Sequence, residues 1–185
     1  MSNRSTARRQ STRVAFCAMA AALSAALMLL GGVIPIATYA VPMLCGLILL
    51  PVLLEFDATA AWATFLDTAL IALLLGFDKE AAFFYLFLGY YPIIKWKIDK
   101  IGAKPLRLPM KILFFSLSLV LMYALLALLF PVDQVLGEFR EMGYVLTAAF
   151  GLVFVGCMLL YDALLPRMVM LYANRIRPKW KFLKR

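Results

Sequence analysis

Residues 95–111 read KWKIDKIGAKPLRLPMK, six cations and one acid set between two long apolar runs, Ala81–Trp96 and Ile112–Phe130. A basic connection of this kind marks the cytoplasmic side of a membrane protein, because Lys and Arg are retained there. The same signature recurs at both ends of the chain. Arg4, Arg8, Arg9 and Arg13 precede the first apolar run, and Arg167, Arg175, Arg177, Lys179, Lys181, Lys184 and Arg185 follow the last. Together these segments hold seventeen of the nineteen basic residues; only Lys79 and Arg140 lie in the opposite connections. Basic segments at both ends and in the middle require an even number of crossings.

The composition points the same way. Of 185 residues, 65% are hydrophobic and 16% charged, with a mean hydropathy of +0.91. A soluble chain carries roughly 45–50% apolar and about 25% charged residues. Lipid must therefore be the solvent for most side chains. The formal charge of +9 does not indicate nucleic-acid binding, since the cations terminate apolar runs instead of lining one polar face. Anionic lipid is the expected counter-charge.

Six apolar stretches are candidate spans: Val14–Leu30, Ala40–Leu54, Ala58–Leu75, Ala81–Trp96, Ile112–Phe130 and Tyr144–Leu165. A crossing helix needs about 20 residues, within a range of about 17–25, so the second and fourth are short and their limits are the least defined. The expected fold is all-α, a polytopic bundle of six transmembrane helices in the cell membrane. It divides into a basic cytoplasmic N-terminus (1–13), the six-helix domain (14–172) and a basic cytoplasmic tail (173–185). That tail carries Trp180 and Phe182 and is expected on the cytoplasmic leaflet or as a free basic segment. A cleaved signal peptide ending at ATYA (residues 37–40) is disfavoured, because the first apolar run is longer than the 7–15 residues of a signal core.

Catalytic and metal chemistry find little support. There is no histidine, which removes the commonest metal ligand and general base. No nucleotide-binding P-loop, HExxH or GxSxG motif is present. Cys17, Cys45 and Cys157 are isolated in separate apolar runs and read as small buried hydrophobes. The sequence therefore predicts neither an enzyme nor a cofactor or metal site.

Polar residues inside spans are the candidates for binding. Asp67 stands at the middle of the third run with Thr64 about a turn before it and Thr68 next to it, and a carboxylate at that depth is expected to face protein or water. The three are expected to form one inward polar stripe, as a ligand, ion or proton site or as an interhelical hydrogen bond. Asp162, near the cytoplasmic end of the last run and a little over a turn from Arg167, is expected in a local interface ion pair or a helix-packing contact. The uncharged connection GGVIPIATYAVP (residues 31–42) has two glycines and two prolines. It is expected to cap an outer cavity through Thr38 and Tyr39, or to form a plain interfacial turn. Tyr85, Tyr123, Tyr144 and Thr147 fall in the outer halves of their runs and complete an aromatic, sparsely polar pocket. Tyr90 and Tyr91 are expected as interfacial anchors. On the first run, Ala18, Ala22 and Ala26 recur every four residues beside Ala21 and Ala25, a smooth strip on which another helix can pack.

With these features the chain resembles the substrate-binding S component of energy-coupling-factor transporters: similar size, six runs, a basic start before an alanine-rich first helix, then a Pro/Gly loop. The resemblance implies that Ala18, Ala22 and Ala26 dock the transmembrane coupling subunit. It implies that Thr38 and Tyr39 belong to a gate over an outward pocket for a vitamin or other small molecule, and that two ABC-type ATPase subunits complete the assembly. Nickel and cobalt are disfavoured as cargo, because members that carry them use an N-terminal histidine. Two other readings fit the same runs. A rod-shape scaffold of the cell-wall elongation machinery would use the alanine strip and basic loop as contacts and leave Asp67 structural. A proton-driven carrier would depend on Asp67.

Overall fold

The computed structural model describes residues 2–32, 37–76, 78–99, 104–129 and 132–179. Among them the chain is helical throughout: α1 (Ser2–Gly31), α2 (Ala37–Glu55), α3 (Ala58–Leu75), α4 (Lys79–Leu88), α5 (Tyr91–Asp99), α6 (Lys104–Leu129) and α7 (Val132–Leu171). A π-helical turn, Tyr172–Ile176, and a 3₁₀ turn, Arg177–Lys179, extend α7. Five helical segments are long and apolar enough to cross a membrane: Gln10–Gly31, Ala37–Glu55, Ala58–Leu75, Arg107–Leu129 and Val145–Ile176. The protein is thus a multi-pass membrane protein with an all-α fold.

The fourth expected span is not one helix. It breaks at Gly89–Tyr90 into α4 and α5. Pro92 cannot donate to the carbonyl a turn before it, and its ring crowds that carbonyl; the chain instead closes with Ile93 N donating to the Tyr90 carbonyl at 2.9 Å. Gly89 is required for space. A Cβ there would lie 2.5 Å from Cδ2 of Tyr85 and 2.6 Å from the Tyr85 carbonyl oxygen. The segments expected to be connections also differ. Thr38 and Tyr39 lie in the first turn of α2 instead of a loop, and residues 132–143 are the start of α7.

The chain divides into two compact units, residues 1–95 with 165–185, and residues 96–164. In the first, α1 packs on α2 and α3, α2 on α3 and α4, and α3 on α4. The buried faces of α1 and α3 are rich in alanine: Ala20, Ala21 and Ala25 on one, Ala60, Ala61, Ala69 and Ala72 on the other. Without a hydrophobic drive inside lipid, such small residues let backbones approach and gain dispersion energy. Larger side chains fill the middle, with Leu49 and Val52 from α2, Phe65 from α3 and Tyr85 from α4 in one cluster. The helix starts are capped. Asp57 Oδ1 accepts from Ala60 N at 2.7 Å and Asp78 Oδ1 from Ala81 N at 3.0 Å, each satisfying an N–H that the helix leaves unpaired.

In the second unit, the described buried residues of α6 are Lys111, Phe115, Ser118, Met122 and Leu126, spaced by four, three, four and four residues along one narrow stripe. Much of the remaining surface is apolar, including Leu113, Leu117, Val120 and Leu121 on α6 and Leu152, Val153 and Leu160 on α7. This is the surface of helices solvated by lipid. Cys157 lies on that exposed face and Cys17 is half-buried, so only Cys45 is the buried hydrophobe expected of all three.

Candidate functional site

The first unit places a polar group on the inner face of each of its four helices. Ser24 of α1, Cys45 of α2, Thr64 and Thr68 of α3 and Tyr85 of α4 are all fully buried. Some are satisfied locally. Thr64 Oγ1 donates to the Ala60 carbonyl at 3.0 Å and Thr68 Oγ1 to the Thr64 carbonyl at 2.9 Å, the back-bonding available to a hydroxyl within a helix. Cys45 Sγ donates to the carbonyl of Ser24 at 3.4 Å, tying α2 to α1. Among the described residues, Ser24 Oγ and the Tyr85 hydroxyl have no hydrogen-bond partner. A buried polar group left unmatched costs about 1–3 kcal/mol, so these two atoms favour anything that brings them a partner. Aromatic rings surround this interior: Phe65 lies 5.2 Å from Tyr85 and 5.6 Å from Tyr90, and Tyr90 stacks on Trp62 at 5.5 Å.

One end of the unit is closed by a polar latch. Thr38 Oγ1 donates to Asp78 Oδ2 at 2.6 Å and the Tyr39 hydroxyl to Glu80 Oε1 at 2.5 Å. Both are short bonds to carboxylates, the stronger class. They fasten the first turn of α2 to the first turn of α4, forty residues on. Asp78 serves twice, its other oxygen capping α4. Tyr39 also sets its ring edge against Phe84 at 5.4 Å, and Lys79 Nζ caps the end of α3 by donating to the Leu73 carbonyl at 2.9 Å. Residues 33–36, between α1 and the latch, lie outside the described residues.

Of the expected pocket residues, Thr38, Tyr39, Thr64 and Tyr85 therefore belong to this unit's interior or its latched end. Asp67 does not join Thr64 and Thr68: it is exposed, contrary to the inward stripe expected. The buried positions of α3 run from Ala60 to Ala72, and at about 100° per residue Asp67 falls roughly a third of a turn from their centre, beside exposed Leu66 and Leu70. Tyr123 and Thr147 are half-buried in the second unit. The side chain of Tyr144 is outside the described residues. Tyr91, expected as an interfacial anchor, is fully buried.

Ala18, Ala22 and Ala26 are all exposed, whereas the parallel row Ala21 and Ala25 is buried. The helix thus uses one alanine row within the unit and turns the other outward.

Asp162 pairs with Lys111, not Arg167. Lys111 Nζ donates to Asp162 Oδ2 and to Asp99 Oδ1, each at 2.8 Å, and its side chain is 10% exposed. Residues far apart in sequence meet here, which no local spacing could indicate. Asp78 and Glu80 were likewise unremarked in GFDKE; their signal was two acids in the connection facing the Thr–Tyr pair.

Comparison of the chain with protein-family models, with curated proteins and with solved structures finds no match in any of the three.

Proposed function

We propose that the chain is a six-pass protein of the cell membrane with both termini in the cytoplasm, acting as the substrate-binding subunit of an energy-coupling-factor type uptake transporter. The broken pair α4–α5 serves as the sixth crossing, and the grouping of seventeen cations supports the orientation. The observation that carries the functional reading is the buried polar interior of the first unit. Ser24 and Tyr85 there await a partner, and the end above them is held by the Thr38–Asp78 and Tyr39–Glu80 bonds.

In this reading a small molecule enters from outside when the latch opens. It takes hydrogen bonds from Ser24 and Tyr85 while the aromatic rings bury its apolar part. The carboxylates of Asp78 and Glu80 accept the Thr38 and Tyr39 hydroxyls again on closure, so ligand binding and helix position are coupled. The outward row Ala18, Ala22 and Ala26 supports docking of a coupling subunit, with two ABC-type ATPases supplying the energy, since no nucleotide-binding motif occurs in this sequence.

Purified protein screened by thermal shift against water-soluble vitamins tests the reading. A ligand at a hundred times its Kd adds about 2.7 kcal/mol. Tyr85→Phe is expected to weaken that response and, by removing a buried hydroxyl that lacks a partner, to raise the unliganded melting temperature. The absence of any shift, with cell-wall synthases as the co-purifying proteins, overturns it in favour of a scaffold.

A further inference from the structure

The first unit carries a concavity on its flank, separate from the latched interior. It is a groove of about 830 Å³ between α1, α2 and the π-helical turn that ends the chain's last long helix. Its walls are apolar: Leu27 and Leu44 at one end, Phe16, Pro51, Tyr172 and Ile176 at the other. From Phe16 to Leu27 the helix rises about 16 Å at 1.5 Å per residue. That is about half of a hydrocarbon core roughly 30 Å thick, the depth of a single leaflet.

The Phe16 end is charged at its rim. Arg13, one turn before Phe16, donates to Asp57 Oδ1 at 2.9 Å. Arg177, next to Ile176, forms an ion pair with Glu55, its Nε 3.1 Å from Oε1, and the Tyr172 hydroxyl donates to the same oxygen at 3.3 Å. Arg175 flanks Ile176 on its other side and is exposed. Three guanidinium groups thus stand against two carboxylates. Each paired arginine commits one nitrogen to its carboxylate and keeps other donors of its planar fork, so the rim remains positive and able to hold an anionic oxygen.

We propose that this groove is a binding site for one anionic phospholipid of the leaflet on the arginine side, its acyl chains along α1 and α2 and its phosphate on Arg13 and Arg177. An apolar channel one leaflet deep with a cationic rim at the headgroup level matches that molecule in length and charge, as do basic sites between helices generally. The Glu55–Tyr172–Arg177 contacts give the lipid a purpose in the fold. They fasten the end of the last helix to α2 at the groove's mouth, and a bound lipid bridges the same two elements.

The test uses native mass spectrometry of the full-length protein, stripped of lipid and offered phosphatidylglycerol or phosphatidylcholine. One phosphatidylglycerol is expected to be retained with at least tenfold preference. The Arg13→Gln/Arg177→Gln double variant should lose that preference, to within about twofold. Leu23→Trp with Leu44→Trp, two exposed groove positions, should lower retention of both lipids. Millimolar inorganic phosphate should displace nothing. In the unaltered protein, photoactivatable phosphatidylglycerol should label peptides of α1 and α2. No lipid preference, unchanged retention in the filled groove, displacement by phosphate, label concentrated elsewhere, or a polypeptide seated in the groove would each overturn the proposal.

Discussion

The helical interior of the first unit and the ionic node of the second bury different polar chemistry. In residues 1–95 with 165–185, neutral hydroxyls and a thiol are dispersed over four helices, Ser24, Cys45, Thr64, Thr68 and Tyr85, among alanine-lined contacts. In residues 96–164 the described buried polar groups include Ser118 and an ionic node, Lys111 between Asp99 and Asp162. Neutral groups are cheap to leave briefly unpaired, so an interior built from them can exchange its own hydrogen bonds for those of a guest. A buried charge has no such freedom. Losing its partner costs far more than losing a hydrogen bond, and a node of this kind holds helices in one arrangement.

The sharpest way to break this comparison is Lys111→Met. It leaves Asp162, 14% exposed, and the more open Asp99 without their cation. Breaking a buried pair costs about 3–5 kcal/mol, so the melting temperature in detergent should fall more than for any single change in the first unit's polar interior. Adding Asp99→Asn and Asp162→Asn to Lys111→Met should recover most of the loss. A triple variant no more stable than the single would show that the node does not act through charge.

Next in size is Gly89→Ala. The new Cβ meets both the ring and the carbonyl of Tyr85, and overpacking of this kind costs about 1–3 kcal/mol. The loss should be partly relieved by Tyr85→Ala, which removes the ring but not the carbonyl contact. A fully additive double variant would place the strain elsewhere. A smaller effect, about 1 kcal/mol within a range of roughly 0.5–2, is expected when Asp57→Ala removes the cap of α3.

Much of this was legible in the sequence, and the failures have physical causes. The apolar stretch Ala58–Leu75 coincides with α3, whose start is capped by Asp57 and whose end is followed by Gly76. The residues 81–96 were read as one span since their composition is uniformly apolar. Hydropathy does not register that the Tyr85 ring occupies the place of a Cβ at 89. Thr64 and Asp67 were read together because residues three apart are neighbours on a helix, but the edge of the buried face falls between them. The ion node and the α2–α4 latch join residues separated by 51 and 40 positions. Only tertiary structure brings such groups together, and no periodicity records it. The two rows of alanine on α1 were visible, although which row turns outward depends on where α2 and α3 pack.

The smallest effect belongs to Arg13→Gln. Arg13 and Asp57 also form a 2.9 Å ion pair, yet their side chains are 38% and 46% exposed. Water screens such a pair and its ordering costs entropy, so exposed pairs contribute about 0–1 kcal/mol. The substitution should barely move the melting temperature, and what shift there is should vanish at high salt, where the Debye length is only about 3 Å at 1 M. Lys111→Met should keep more of its effect under the same salt, because Lys111 and Asp162 are only 10% and 14% exposed, while the more open Asp99 is screened in part. Equal salt sensitivity in the two variants would erase the distinction between a surface pair and a buried node.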